Sequence, residues 1–157
     1  MEISLLSALI ALQFFVVVFI ALHDWVPLGR LNNLAAVQAS DSAGKLFIVT
    51  VLSTLPFAVG LVASVRCAGT GFPGWLMWWL WISYGAAVYG LLRAWWVPYL
   101  LIASPARAER YQARFAGAHA FLPLRNGIRP DTLHCALHIV IVAIVILLGA
   151  LSVSAHG

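Results

Sequence analysis

Polar residues in this chain come in bursts, and the stretches between them are long and apolar. The first apolar run, "ISLLSALIALQFFVVVFIAL", covers 3–22. The second, "LFIVTVLSTLPFAVGLVASV", covers 46–65; a third covers about 75–100 and a fourth 132–153. About 20 mostly apolar residues suffice to cross a bilayer as a helix, so four spans are predicted. The first run carries Glu2 and no Lys or Arg before it, and no small-x-small cleavage site follows before "HDWVP". It reads as a retained helix and not as a signal peptide. Pro56 falls in mid-span and predicts a kink that frees a carbonyl near Leu52.

The third run carries its own ruler. Trp75, Trp78, Trp79 and Trp81 gather at one end, and Trp95, Trp96 and Tyr99 at the other. From Trp75 to Trp95 a helix rises about 30 Å, the hydrocarbon thickness, so the two groups are expected to be interfacial belts. Small residues available for close helix contact are Gly60 and Ser64 in span two and Gly85 and Gly90 in span three.

Composition sharpens this picture. The chain has 157 residues, 63% of them hydrophobic and 9% charged, too few charges for a soluble domain. The expected fold class is therefore an all-α integral membrane protein: a single membrane domain, 1–157, built as an antiparallel four-helix transmembrane bundle. No internal repeat is evident. The two cysteines, Cys67 and Cys135, fall in different parts of the bilayer cross-section, which argues against a disulfide.

The net charge of +4 matters by location. Arg30 and Lys45 lie in the loop 23–45; Arg107, Arg110, Arg114, Arg125 and Arg129 lie in the loop 101–131; the other side has Arg66. The positive-inside rule puts both longer loops in the cytoplasm and both termini outside. Within the second loop, "SPARAERYQARFAG" offers Ser as N-cap, Pro at the first helical position and Gly as a stop. It predicts a short amphipathic cytoplasmic helix between spans three and four, with Tyr111 and Phe115 on its apolar side. Anionic inner-leaflet headgroups are its expected partner. "GAHAFLPLRNGIRP" is too apolar for a free loop and is expected to fold back as a cap, with a turn at Asn126-Gly127.

Candidate chemistry concentrates on that same side. His134 and His138 share a face in the first turns of span four, behind Asp131 as N-cap. His23 and Asp24 end span one, and His119 is expected on or under the cap. His134, His138, His23 and Asp24 are the candidate catalytic groups, as acid, base or orienting carboxylate. Against this stands a structural reading in which the histidines anchor helix ends. The i,i+4 histidines also have metal-ligand spacing, so His134, His138, His23 and His119 form a candidate metal set. A divalent metal suits them; haem ranks lower, because bis-His ligation needs histidines on facing helices at one depth. Gly85, Tyr89, Arg93 and Trp96 fall on one stripe at steps of four, four and three. Tyr89, Arg93 and Trp96, with Arg125 and Asn126, are candidate substrate-binding residues, and Asp24 is the expected partner of Arg93.

No GxSxG elbow, CxxC or HExxH occurs, which disfavours serine hydrolase, thiol redox and zinc-protease chemistry. The expected function is action on, or binding of, a lipid or hydrophobic small molecule at a histidine-rich site in the inner membrane. The chemistry would be metal-assisted or His/Asp acid-base. The alternative is a non-catalytic accessory or lipid-binding protein that docks a partner through the basic loop. The sequence leaves enzyme and accessory protein both open. Transport is disfavoured by the absence of a repeat, although a homo-oligomer would relax that objection. No nucleic-acid partner is expected.

Overall fold

In the computed structural model, residues 2–154 are described, and they are all-helical with no strands. Helix α1 is Glu2–Leu22, α2 is Leu34–Ser40, α3 is Ala43–Cys67 and α4 is Gly74–Leu91. A π-helical segment, Leu92–Trp96, joins α4 to α5, Val97–Leu100; then come α6, Pro105–Arg114, and α7, Thr132–Ser154. Four of these units are long and apolar enough to cross a membrane: Leu5–Leu22, Ala43–Cys67, Gly74–Leu100 and Thr132–Ser154. The architecture is that of a multi-pass membrane protein.

The four long helices close a ring. α1 packs on α3 and α7, and α4 packs on α7 and α3. Between them lies an apolar core that includes Leu9, Val16, Leu76, Leu80, Ile144 and Leu148. The outward faces are apolar too: Phe47, Leu52 and Val62 of α3 and Ile139 and Ile146 of α7 are all exposed. A helix apolar all round suits a hydrocarbon surrounding. α3 runs unbroken through Pro56, and the Trp79 Nε1–H donates to the Pro56 carbonyl at 2.9 Å. That bond ties α4 to α3 at the proline.

Small residues divide into two kinds. A Cβ on Gly60 would stand 2.9 Å from Leu80 Cδ2, so this glycine does permit close packing of α3 on α4. Gly85 and Gly90, expected to do the same, meet nothing within 4 Å. The expected belt at the loop end also needs correction. Trp75 and Trp78 are exposed as a belt requires, but Trp95 and Tyr99 are each 6% exposed and buried with Ile128. The segment 115–130 covers them, so what reads in the sequence as a rim is a second core.

That covering segment is held at several points. His119 N–H donates to the Arg30 carbonyl at 2.7 Å, and Thr132 N–H to the His119 carbonyl at 2.9 Å. The Asn126-Gly127 turn has positive φ at both residues, 52° and 74°, as a two-residue type I′ turn demands. Arg125 and Ile128 exchange both backbone bonds across it at 2.9 Å. A Cβ at Gly127 would fall 2.5 Å from Ala108 Cβ, so only glycine lets the turn seat against α6.

Candidate functional site

The site forms where the loop end of α7 meets α1, the π segment and α6. Asp131 precedes α7 and is 3% exposed. Its Oδ1 accepts the His134 backbone N–H at 2.9 Å, an N-cap bond, while its Oδ2 lies 2.7 Å from His134 Nδ1. Burial works against ionisation of Asp131 more than any other influence. The hydrogen bonds and charge of His134, with the Leu133 backbone, together outweigh it and hold the carboxyl below its ordinary value. An ionised carboxylate can only accept. Nδ1 of His134 is therefore the donor, and in the neutral ring the lone pair falls on Nε2.

Several rings pack against the His134 ring, which keeps a partly exposed edge. Trp95 lies 4.6 Å away between centroids, Phe115 5.2 Å, His23 5.7 Å and His138 6.3 Å. The His23 and His134 rings stand edge to face at 85°. His138, one turn deeper, is 4% exposed; its ring lies 5.9 Å from Trp96 and 6.3 Å from Trp95, and its Nδ1 has no hydrogen-bond partner.

Both tryptophans that reach these histidines lie in the π segment. Trp96 packs against the core there, apart from Tyr89 and Arg93, its expected companions. Tyr89 is 63% exposed, Arg93 is exposed, and Arg93 Nη1 donates to the Tyr89 hydroxyl at 3.4 Å on the outer surface.

His23 Nδ1–H donates to the Phe19 carbonyl at 3.0 Å, and Nε2 lies 3.3 Å from Asp24 Oδ1. A carbonyl and a carboxylate both accept, so only the protonated ring satisfies both at once. Burial nevertheless pulls the imidazole below its ordinary range; Asp24 opposes this, and His134 reinforces it. Asp24 is not the partner of Arg93, as the sequence suggested. Arg114 of α6 takes that place: its Nη2 bonds Asp24 Oδ2 at 3.1 Å, and its Nη1 bonds Asp41. Lys45 also pairs with Asp41. The Lys45 hydrogen bond, chiefly, and then that of Arg114 hold the Asp41 carboxyl below its usual range.

The remaining candidates lie elsewhere. His119 is exposed on the outer side of the covering segment, with Nδ1 2.7 Å from the Thr132 hydroxyl. Asn126 gives its amide hydrogens to the Tyr99 and Leu101 carbonyls at 3.0 and 3.1 Å, closing the end of α5. Arg125 is exposed in the turn. Among the described residues, no three His, Cys, Asp or Glu side chains converge as metal ligands do. Cys67 and Cys135 are both free thiols.

A crevice of about 600 Å³ leads to the histidines. It runs between α3 and α4, with Pro56 and Phe57 on one side and Ala86, Gly90 and Ala94 on the other. The α7 wall supplies His134 and His138. Ala86, Gly90 and Ala94 recur every four residues on one face of the third span, and their small side chains leave the volume open. Asp131, Arg114 and Trp95 are the residues at this candidate site that sequence reasoning missed or gave another role. The i,i+3 spacing of Asp131 and His134 was the available signal for the first.

Comparison with protein-family models, with curated proteins and with solved structures finds no match to this chain.

Proposed function

We propose that this protein is a membrane enzyme that performs acid-base chemistry on a hydrophobic molecule admitted sideways from the bilayer. The carrying observation is the Asp131–His134 pair at the wall of the crevice between α3 and α4. An oriented neutral imidazole with its lone pair on Nε2 is a general base, and the crevice volume is in the usual range for small-molecule sites, roughly 300–1,000 Å³. The edge-to-face packing of the imidazoles favours proton transfer over metal ligation. In this reading the helices run antiparallel with both termini outside, and the arginine-rich loops face the cytoplasm at the inner membrane. α6 is then an amphipathic helix on the inner face, with its Tyr111 and the Phe115 that follows it against Trp95, and Arg107 and Arg110 toward anionic headgroups.

One observation favours the accessory alternative. Among the described residues, Arg107, Arg110, Arg125 and Arg129 have no carboxylate within ion-pair distance, a surface that a partner or lipid could neutralise.

The test is to purify wild type, His134→Gln and Gly90→Leu in nanodiscs and identify co-purified hydrophobic molecules by mass spectrometry. The enzyme reading expects His134→Gln to retain a different molecule, the unprocessed substrate, told apart by retention time and fragmentation as well as mass, and Gly90→Leu to retain none. The same molecule in wild type and His134→Gln would favour the accessory reading.

A further inference from the structure

The lining of the crevice is selective in its charge. Among the described residues, no Lys or Arg contributes to it, and no carboxylate does. Two arginines of this end are engaged elsewhere: Arg114 is held by Asp24 and Asp41, and Arg93 lies on the outer surface with Tyr89. Behind His134 stands the buried Asp131 carboxylate, which disfavours a second negative charge beside it. An ammonium head would find no counter-ion along the wall. Burying either ion without a partner is strongly unfavourable.

Polar atoms are nevertheless present at the α7 wall. His134 lines it, and His138, which is 4% exposed, has a ring nitrogen, Nδ1, with no partner among the described residues. A buried polar group is ordinarily hydrogen-bonded, so His138 is a position where a ligand atom is wanted. Ser53 and Ser83 add hydroxyls to the same crevice. The rest of its lining is apolar, including Ile20, Phe57, Ile82 and Ile141.

From this we infer that the occupant is a neutral lipid whose head is a hydroxyl or carbonyl, held by His138 and His134, and not a phospholipid or other charged amphiphile. An oxygen head exchanges hydrogen bonds with imidazole without bringing charge into the bundle, and its apolar tail follows the groove between α3 and α4. The inference rests on the reading of the crevice as a ligand site and adds the class of ligand.

The experiment compares farnesol, farnesyl phosphate and the headless hydrocarbon farnesane as probes in phosphatidylcholine nanodiscs. Binding is read from the saturable rise of the unfolding midpoint. Farnesol is expected to bind at least tenfold more tightly than farnesyl phosphate. His138→Leu and His138→Gln should each weaken farnesol by about tenfold or more, and neither should weaken farnesane, which also reports that the variants are folded. Equal or tighter binding of farnesyl phosphate would overturn the neutral head while leaving the crevice reading intact. Farnesol binding unchanged in both His138 variants, or no tighter than farnesane, would overturn the role of the oxygen. If no probe binds wild type, and Gly90→Leu leaves its midpoint and co-purified lipids unchanged, the crevice reading itself fails.

Discussion

Asp131 does two things with two oxygens, and substitutions separate them. One oxygen caps α7 and the other holds His134. Asparagine caps a helix about as well as aspartate, but it is uncharged and no longer fixes the imidazole tautomer. Asp131→Asn is therefore expected to keep the unfolding midpoint near wild type while shifting the His134 ring nitrogens toward mixed tautomers, read by ¹⁵N NMR. Asp131→Ala should lose cap and partner together, at a cost of about 1–2 kcal/mol. At the Asn126-Gly127 turn the logic is steric. Gly127→Ala must push Ala108 away and hold a strained φ, so it should destabilise by about 1–3 kcal/mol and expose the 105–114 segment to protease. The turn was legible from its residue pair. The asparagine amide closing the end of α5 was not, because its acceptors, the Tyr99 and Leu101 carbonyls, are 27 and 25 residues distant.

Among elements, the four long helices were readable because each apolar run exceeds what a bilayer needs. α2 was not: "LAAVQAS" is short, and it depends on the Asn33 cap, whose side chain accepts the Ala36 N–H at 3.2 Å, and on packing against α6. The π segment was also invisible, since no local signature separates it from α-helix. For the α3–α4 contact, Gly60→Leu should force Leu80 and Trp79 aside and cost about 1–3 kcal/mol in a denaturing-detergent titration. Gly85→Leu, which meets open space, should cost far less.

For the whole molecule, the ionisable groups at the loop end give acid sensitivity a definite direction. Unfolded, His23 takes a proton near its ordinary value of about 6.5; folded, burial delays it. The unfolded chain then binds more protons as pH falls below that value, so stability declines toward the folded value. Asp41 adds a second decline below about 3.9, where its pairs with Lys45 and Arg114 begin to be lost. The unfolding midpoint should be flat near neutrality and fall in two stages on acidification. His23→Gln should shrink the upper stage and leave the lower. The chemistry of this end was only half visible in the sequence. Which residue types gather there could be read from the chain; the pairing of Asp24 with Arg114 could not, because charge sign alone gave Arg93 an equal claim.

That guanidinium has a further consequence, in time. Asp24 and Asp41 precede Arg114 by 90 and 73 residues. During synthesis both carboxylates therefore emerge, and three membrane segments are made, before their shared counter-ion exists. Until then the loop end of the nascent bundle cannot lock. Ribosome-bound chains truncated before Arg114 should leave 23–41 open to protease, and chains extended past α7 should close it.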